Sequence, residues 1–175
     1  ALEVSSNIGV SRVIDEHYGT NPEKYVEGLY RIGIAEDLQI PLVGYLPPVI
    51  RMPKKNKRGQ YINWSKTALP WMSIGYETQI APIKTVTFYN AIANNGKMMR
   101  PMLVTAIRKD GKDVRSFKPE VVKSSICSKK VIADLKLALH DVVWDNKLGT
   151  ASINKWKQPK AQSQLVSIAG KTGTA

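Results

Sequence analysis

The chain has 175 residues and is 43% hydrophobic, which fits one globular domain with enough apolar side chains for a core. We find no run of about 18 apolar residues and no charged-then-apolar leader, and the single cysteine, Cys127, excludes an internal disulfide and a cysteine-based zinc cluster. The net charge of +12 leaves an anionic partner open.

Two helices are predicted at the start of the chain. Ser5 or Ser6 is a suitable N-cap for the first, whose apolar residues recur with a period near 3.6 and which ends at Gly19. The second starts at Asn21-Pro22-Glu23 and ends at Gly33. The predicted apolar residues are Ile8, Val13, Ile14 and Tyr18 in the first helix and Tyr25, Leu29 and Ile32 in the second.

The middle of the chain predicts an irregular segment followed by a third helix. Residues 35–80 contain several prolines and no long periodic pattern. Pro82 then starts a helix that ends at Asn94-Asn95-Gly96. Its predicted apolar face consists of Ile83, Val86, Tyr89 and Ala93.

The last third predicts a hairpin, a long helix and a strand. Residues 102–117 have the alternation of a β-hairpin around Asp110-Gly111. Ser128 caps an amphipathic helix, and the apolar run from Gln164 to Ala169 predicts a strand. The helix is expected to bury Val131, Ile132, Leu135, Leu139 and Val142. Because a lone strand leaves its backbone groups unpaired, we expect the rest of its sheet to lie outside this sequence.

A basic segment lies between Asp37 and Glu77, where no acidic residue occurs. Its basic residues are Arg51, Lys54, Lys55, Lys57, Arg58 and Lys66, and its aromatic residues include Tyr61 and Trp64. Cations interleaved with aromatic rings are typical of nucleic-acid binding. We favour a solvated loop, since runs of charged residues commonly lie on the protein surface. Attraction to an anionic lipid or cell-wall polymer would give the same pattern and stays an alternative.

Two common kinds of site are not supported by the sequence. Gly170-Lys171-Thr172 suggests a phosphate-binding loop, but that motif needs a glycine at position 165, where the chain has Leu165. His17 and His140 lie on separate predicted helices, and neither has a second ligand at metal-binding spacing. We therefore interpret both histidines as helix-surface or boundary residues and predict no metal site.

Two polar clusters remain, Ser5-Ser6-Asn7 and Lys171-Thr172-Gly173. In this order they resemble the S-x-N and K-T-G motifs of penicillin-recognising serine enzymes. The surrounding sequence resembles the class B penicillin-binding proteins of that family. The similar stretches are SSNIGVSRVIDEHYG, IGYETQIAPIKTVTFYNAIANNGKMMRP, LGTAS and GKTGTA.

The resemblance implies a fold class and a domain assignment. The fold would be a helix-rich α+β fragment of the β-lactamase/transpeptidase-like fold, with a helical subdomain, a hairpin and the K-T-G strand. Residues 1–175 would be a partial transpeptidase domain that runs from the S-x-N motif to the K-T-G motif. Most of the central sheet would lie outside the chain.

The resemblance also implies a role for each motif residue. Lys171 would supply a positive field and attract the terminal carboxylate of a D-alanyl-D-alanine stem peptide, to which Thr172 and Thr174 would offer hydroxyls. Gly173 would leave room for the substrate backbone along the strand edge, and the Thr174 N–H would be an oxyanion donor. Two further residues have implied roles: Ser5 would pass a proton to the leaving amine, and Asn7 would hold the amide of the acyl side. Taken singly, Ser5 is better explained as a helix cap, and Thr172 and Thr174 as ordinary strand residues; taken as a set in the family context, the functional roles are favoured.

The nucleophile of the family, the serine of an S-x-x-K motif, precedes S-x-N, and the chain has only four residues before Ser5. One S-x-x-K match exists, Ser152-Ile153-Asn154-Lys155, but it follows S-x-N and we interpret Ser152 as a decoy. The chain is therefore expected to be inert alone and to form no stable adduct with penicillin.

Other functions stay open beside a peptidoglycan D,D-transpeptidase. A class A β-lactamase is disfavoured because Ser6 replaces the aspartate of S-D-N and no E-x-x-L-N segment lies between the motifs. A sensor-type penicillin-binding domain, a pseudo-enzyme and a basic binding module are the alternatives. For the parent protein the resemblance implies β-lactams as ligands, a glycosyltransferase or scaffold as partner, no nucleic acid, and no cofactor or metal. It also implies a single membrane anchor in the inner membrane, with the catalytic domain in the periplasm.

Overall fold

The computed structural model describes residues 1–153 and 157–173. That part of the chain contains five helices and six short strands. The helices are α1 (Asn7–Tyr18), α2 (Pro22–Arg31), α3 (Ala68–Ser73), α4 (Pro82–Ala93) and α5 (Lys129–Trp144). The strands are β1 (Val49–Ile50), β2 (Thr78–Gln79), β3 (Met98–Met99), β4 (Ala106–Lys109), β5 (Lys112–Ser116) and β6 (Val121–Lys123). None of these helices is long and apolar enough to cross a membrane.

The strands form three separate antiparallel pairs, β1 with β2, β3 with β6, and β4 with β5. The predicted hairpin is confirmed: Lys109 pairs with Lys112, and the two residues between them turn the chain. Asp110 and Gly111 have φ values of 51° and 75°, the left-handed conformation at both central residues that a type I′ turn requires. Outside this hairpin, helices and loops provide most of the framework.

The buried apolar side chains form two clusters. The larger one lies where α4, β3 and α5 meet, and the smaller one joins α2, β1 and α3. The larger cluster contains Ala91, Ile92, Met98, Ile126, Ile132 and Leu139, and the smaller contains Val26, Ala35, Ile50 and Met72. Burying such side chains contributes about 1.5–3 kcal/mol for each large residue, so these clusters supply the main stabilisation of the fold.

The helix boundaries agree with the sequence signals. Ser6, one of the two predicted caps, accepts a hydrogen bond from Gly9 N at 3.0 Å, and α1 ends at the C-cap residue Gly19. Pro22 occupies the first turn of α2. Ser128 Oγ accepts from Val131 N at 3.3 Å, as expected for the N-cap of α5. These signals are local, so the sequence alone determines them.

The periodic apolar residues of α1 and α4 do not form a buried face. No residue of α1 is buried, and Ile8 is 83% exposed. In α4 the side chain of Val86 is 66% exposed, whereas the buried residues are Lys84, Thr87, Ala91 and Ile92. Because α4 carries apolar residues on two sides, its period does not tell which side the core occupies. In α5, Ile132, Leu139 and Val142 are buried as predicted, but Val131 is exposed.

Two segments differ in secondary structure from the prediction. The short helix α3 lies within residues 35–80, which were predicted to be irregular; its Pro70 falls in the first turn, where proline is tolerated. The strand predicted from Gln164 to Ala169 is absent. That segment lies against α5 instead, because no strand in the described part of the chain pairs with it.

Lys84 is a buried cation inside the framework. Its side chain is fully buried, and Nζ has no hydrogen-bond partner among the described residues. Burial lowers the pKa of Lys84 from 10.5 to about 8, against smaller opposing effects of Glu36 and Asp37 and a reinforcing effect of Lys123. An unpaired buried ammonium is costly, so Lys84 destabilises the fold at neutral pH.

We expect Lys84→Met to raise the free energy of unfolding at pH 7 by about 2 kcal/mol. The folded pKa lies below the unfolded value, so unfolding takes up a proton between pH 8 and 10.5. Stability of the unmutated chain therefore rises with pH across that window. Urea unfolding at several pH values measures the effect of the substitution and the pH dependence. Lys97→Met, at an exposed lysine, is the control and should change the free energy of unfolding by less than about 0.5 kcal/mol. Equal free energies of unfolding for Lys84→Met and Lys97→Met would contradict the conclusion that buried Lys84 destabilises the fold.

Candidate active site

The chain turns sharply just before α1, and this turn places Ser5. Ser5 N donates to Leu2 O at 3.2 Å, and Ser6 N donates to Ala1 O at 3.0 Å. Ser5 has a φ of 52°, a left-handed conformation that is uncommon for a residue with a side chain. Since Ser6 caps the helix, the hydroxyl of Ser5 is left for another partner.

That partner is Lys171. Its ammonium group donates to Ser5 Oγ at 2.7 Å, to the carbonyl of Thr172 at 3.0 Å and to Thr172 Oγ1 at 3.2 Å. An ammonium has three N–H donors, so these contacts use all of them. The structure thus brings together two motifs that are 166 residues apart.

The segment before Lys171 is held by α5. Trp144 Nε1 donates to Ile168 O at 2.8 Å, and Gly170 N donates to Leu139 O at 3.0 Å. These bonds replace the strand pairing expected from the sequence, and they fix the direction in which the chain approaches Ser5.

A cavity of about 660 Å³ opens between the two motifs. Asn7, at the start of α1, and Gly173 lie at its wall, so five of the six predicted site residues surround one space. The sixth, Thr174, lies outside the described residues. The lining consists of Ala1, Leu2, Ser5, Ser6, Asn7, Val10, Ser73, Ile74, Gly75, Tyr76, Tyr89, Lys171, Thr172 and Gly173.

Sequence reasoning missed the third wall of this cavity, which follows α3. Gly75 has a φ of 102°, a conformation that suits glycine, and the chain turns there to present Tyr76. The Tyr76 ring packs edge-on against Trp71 with 4.7 Å between centroids. Tyr89, from α4, completes this side, and burial raises its pKa. The signal for this wall was Gly-Tyr after a short apolar run, which is too common to single out.

A second polar group close to the cavity comes from the loop at residues 148–152. Thr150 Oγ1 lies 3.0 Å from Thr172 Oγ1, and Thr150 N donates to Glu3 O at 3.3 Å. The neighbouring Gly149 N donates to Asp145 O at 2.8 Å, at the C-terminal end of α5. The loop therefore links the end of α5 to Thr172 on one side of the site and to Glu3, just before Ser5, on the other.

Ser152, the serine of the S-x-x-K match, is fully buried. Its hydroxyl donates to Asn146 Oδ1 at 2.6 Å and accepts from Gln162 Nε2 at 3.2 Å. Asn154 and Lys155 of the same match lie outside the described residues. A buried and fully bonded hydroxyl cannot reach a substrate, so Ser152 is a structural residue of the loop.

The histidines lie at helix surfaces. His17 Nδ1 is 2.8 Å from Val13 O on the exposed side of α1, and the His140 ring stacks on Trp144 with 5.6 Å between centroids. Across residues 1–153 and 157–173, no three histidine, cysteine, aspartate or glutamate residues lie close enough together to hold a metal ion.

In the basic segment, cationic side chains lie over the aromatic rings of the same segment. Lys55 lies over the Tyr61 ring at 4.6 Å and pairs with Glu23 at 2.9 Å, and Arg51 lies over Trp64 at 5.5 Å. Tyr61 also donates to Glu23 at 2.6 Å. Because cations of the chain already cover both rings, they do not form an open platform for stacking bases.

Comparison with known proteins identifies the family of the chain. The family model described as penicillin binding protein transpeptidase domain matches residues 1–175. The chain belongs to this family. Penicillin-binding protein PbpB of Mycobacterium tuberculosis is 24% identical over 176 residues, which cover 98% of this chain and 23% of the relative. The chain thus spans about a quarter of the length of that curated relative.

Solved structures show the same fold. Penicillin binding protein 3 from Mycobacterium tuberculosis, complexed with ampicillin, superposes with a TM-score of 0.63 at 21% identity, over 85% of this chain and 30% of that one. Penicillin binding protein 2X from Streptococcus thermophilus gives a TM-score of 0.72 at 17% identity, over 94% of this chain and 22% of that one. The predicted helix-rich part of a transpeptidase fold is therefore confirmed, apart from the K-T-G strand.

Gly149 is the point at which the loop at residues 148–152 approaches the backbone of the C-terminal end of α5 most closely. A Cβ at this position would lie 2.5, 2.6 and 2.7 Å from the carbonyl oxygens of Asp141, Asp145 and Val142. Contacts this short to backbone atoms force the loop to move. Gly170 is the matched control, because a Cβ there would meet nothing within 4 Å.

We expect Gly149→Ala to lower the free energy of unfolding by about 2 kcal/mol or more, because overpacking against a helix backbone is not relieved by side-chain rotation. Gly170→Ala should change it by less than about 0.5 kcal/mol. Urea unfolding followed by circular dichroism measures both. A Gly149→Ala variant as stable as Gly170→Ala would show that the loop does not contact α5 in this way.

Proposed function

We propose that the chain is part of a serine-type peptidoglycan D,D-transpeptidase, the class of enzyme that cross-links cell-wall stem peptides and is trapped by β-lactams. The observation that carries the proposal is the contact between Lys171 Nζ and Ser5 Oγ at 2.7 Å, at the wall of a cavity that both motifs line. Membership of the penicillin-binding transpeptidase family supports the same reaction class.

In this proposal Lys171 acts through its charge. The ammonium is positioned to attract the terminal carboxylate of a D-alanyl-D-alanine peptide, and Thr172 and Thr174 add hydroxyl donors. Lys171 also polarises the Ser5 hydroxyl through their hydrogen bond. Ser5 is thereby suited to pass a proton to the amine that leaves.

The reaction is an acyl transfer in two steps. A serine hydroxyl attacks the carbonyl of the penultimate D-alanine, the C–N bond to the terminal D-alanine breaks, and the leaving amine takes a proton that Ser5 relays. An amine of a second stem peptide then attacks the ester and releases the serine. The S-x-x-K serine and its lysine, which act as nucleophile and base, are supplied from outside residues 1–175 in this proposal. Asn7 holds the amide of the acyl side, and Gly173 leaves room for the substrate backbone.

The proposal extends to the parent protein. It is a cell-wall enzyme with a single membrane anchor and its catalytic domain outside the cytoplasmic membrane, and it works with a glycosyltransferase or scaffold protein. β-Lactams acylate the same serine, and because their leaving group stays tethered the acyl-enzyme persists. The chemistry requires no metal or cofactor, since charge stabilisation comes from Lys171 and backbone donors.

The test uses the protein in which residues 1–175 stand in their natural sequence context. Benzylpenicillin should give one covalent adduct, on a serine upstream of Ser5, detected by intact mass. Lys171→Ala should lower the second-order acylation rate constant on the order of 100-fold, the usual effect of removing a group that stabilises developing charge. Lys66→Ala, in the basic segment, is the control and should leave the rate constant unchanged within about twofold.

Two results would contradict the proposal. One is an acylation rate that Lys171→Ala leaves unchanged, and the other is a folded parent protein that forms no adduct. Residues 1–175 alone should form no adduct, and an adduct on Ser152 would overturn its assignment as a structural residue. Binding to anionic polymers that weakens steeply with salt and is lost in Lys66→Ala would favour a basic binding module instead.

A further inference from the structure

The hydroxyl groups of Thr150 and Thr172 lie 3.0 Å apart, and either oxygen can be the donor. A threonine hydroxyl has one proton to donate and two lone pairs that accept. Which of the two donates determines whether Thr172 has a proton left for a ligand in the cavity.

The contact of Thr172 with Lys171 determines what each direction would leave for a ligand. Its Oγ1 already accepts from Lys171 Nζ, which is a donor only. If Thr150 donates as well, both lone pairs of Thr172 Oγ1 are occupied, and its proton is free to point into the cavity. If Thr172 donates to Thr150 instead, it has no proton for a ligand.

We propose that Thr150 is a positioning residue: its hydroxyl donates to Thr172 and so makes Thr172 a dedicated donor to the terminal carboxylate of a peptide. Thr150 acts through Thr172 and need not contact the substrate itself. The inference rests on the proposed function, because it names the ligand group that this arrangement recognises. It adds a residue outside both sequence motifs to the carboxylate site.

The backbone of Thr150 is fixed on both sides, which gives its side chain a set direction. Its N–H donates to Glu3 O at 3.3 Å, and its carbonyl accepts from Lys160 Nζ at 3.0 Å. Gly149 N, before it, donates to the carbonyl of Asp145, the C-cap residue of α5, at 2.8 Å, and Ala151 N, after it, donates to the α5 carbonyl of Val142 at 2.9 Å. A side chain anchored in this way can orient a neighbour without itself moving.

The test compares Thr150→Val, which removes the hydroxyl at nearly constant shape, with Thr150→Ser, which keeps it. Thr105→Val, at an exposed threonine in the loop before β4, is the matched control. Two quantities are measured by NMR on the 175-residue chain. The first is the χ1 rotamer distribution of Thr172 from three-bond couplings, without ligand. The second is the affinity ratio of N-acetyl-D-alanyl-D-alanine to its methyl ester, from the Gly173 amide shift.

We expect a single Thr172 rotamer in the unmutated chain, in Thr150→Ser and in Thr105→Val, and rotamer averaging in Thr150→Val. The acid-to-ester affinity ratio should fall about tenfold in Thr150→Val only, since a hydrogen bond to a charged group is lost. If Thr150→Val lowers the melting temperature so far that it is not folded, Thr150→Ala replaces it.

A Thr172 rotamer and an acid-to-ester ratio unchanged in a folded Thr150→Val chain would overturn the inference while leaving the proposed function intact. An unmutated chain that does not distinguish acid from ester would contradict the proposed function of Lys171 and Thr172, whatever the rotamer result. If the acid-to-ester affinity ratio falls equally in Thr150→Val and Thr150→Ser, Thr150 acts by packing and not through its hydroxyl, which would also overturn the inference.

Discussion

The hydrogen bond from Lys171 Nζ to Ser5 Oγ, at 2.7 Å, is the contact on which the candidate site depends. It closes a loop of 166 residues, whose entropy cost must be offset by the packing of the segments between. Thr172 accepts the remaining two ammonium hydrogens through its carbonyl and its hydroxyl. Lys171 is therefore held across the cavity rather than extended into solvent, and its charge is directed at the space that Asn7 and Gly173 border.

Both ends of this contact are placed by packed helices. The C-terminal half of α5 holds residues 168–170 and the loop at residues 148–152 by hydrogen bonds. Its apolar side, through Ile132 and Leu139, belongs to the larger core cluster. On the other side, α1 is held against α3 by hydroxyl contacts, with Ser11 Oγ donating to Pro70 O at 3.1 Å. The acyl transfer that we propose needs its reacting groups held within a fraction of an ångström, and anchoring of this kind meets that need.

Features set by a few adjacent residues could be predicted from the sequence. The cap at Ser128 and the turn at Asp110-Gly111 depend on local backbone geometry, so short motifs suffice. The buried side of α4 and the course of the chain between Gln164 and Ala169 depend on which elements lie next to them, and a single sequence does not contain that information. The motif residues, named from the resemblance, lie around one cavity, but the roles assigned to them stay predictions. The wall at Tyr76 and the hydroxyl of Thr150 became visible only in three dimensions, because they come from segments distant in sequence from both motifs.

The most direct measurement of the central claim is the proximity of Lys171 and Ser5 in solution. Residues 1–175, labelled with ¹³C at lysine and serine, should show nuclear Overhauser cross-peaks between the ε protons of Lys171 and the β protons of Ser5, and Lys171→Met should abolish those assigned to the ε position. Cross-peaks that connect Lys171 only to its sequence neighbours, in a chain that is otherwise folded, would contradict the account, because the two motifs would then not form one site.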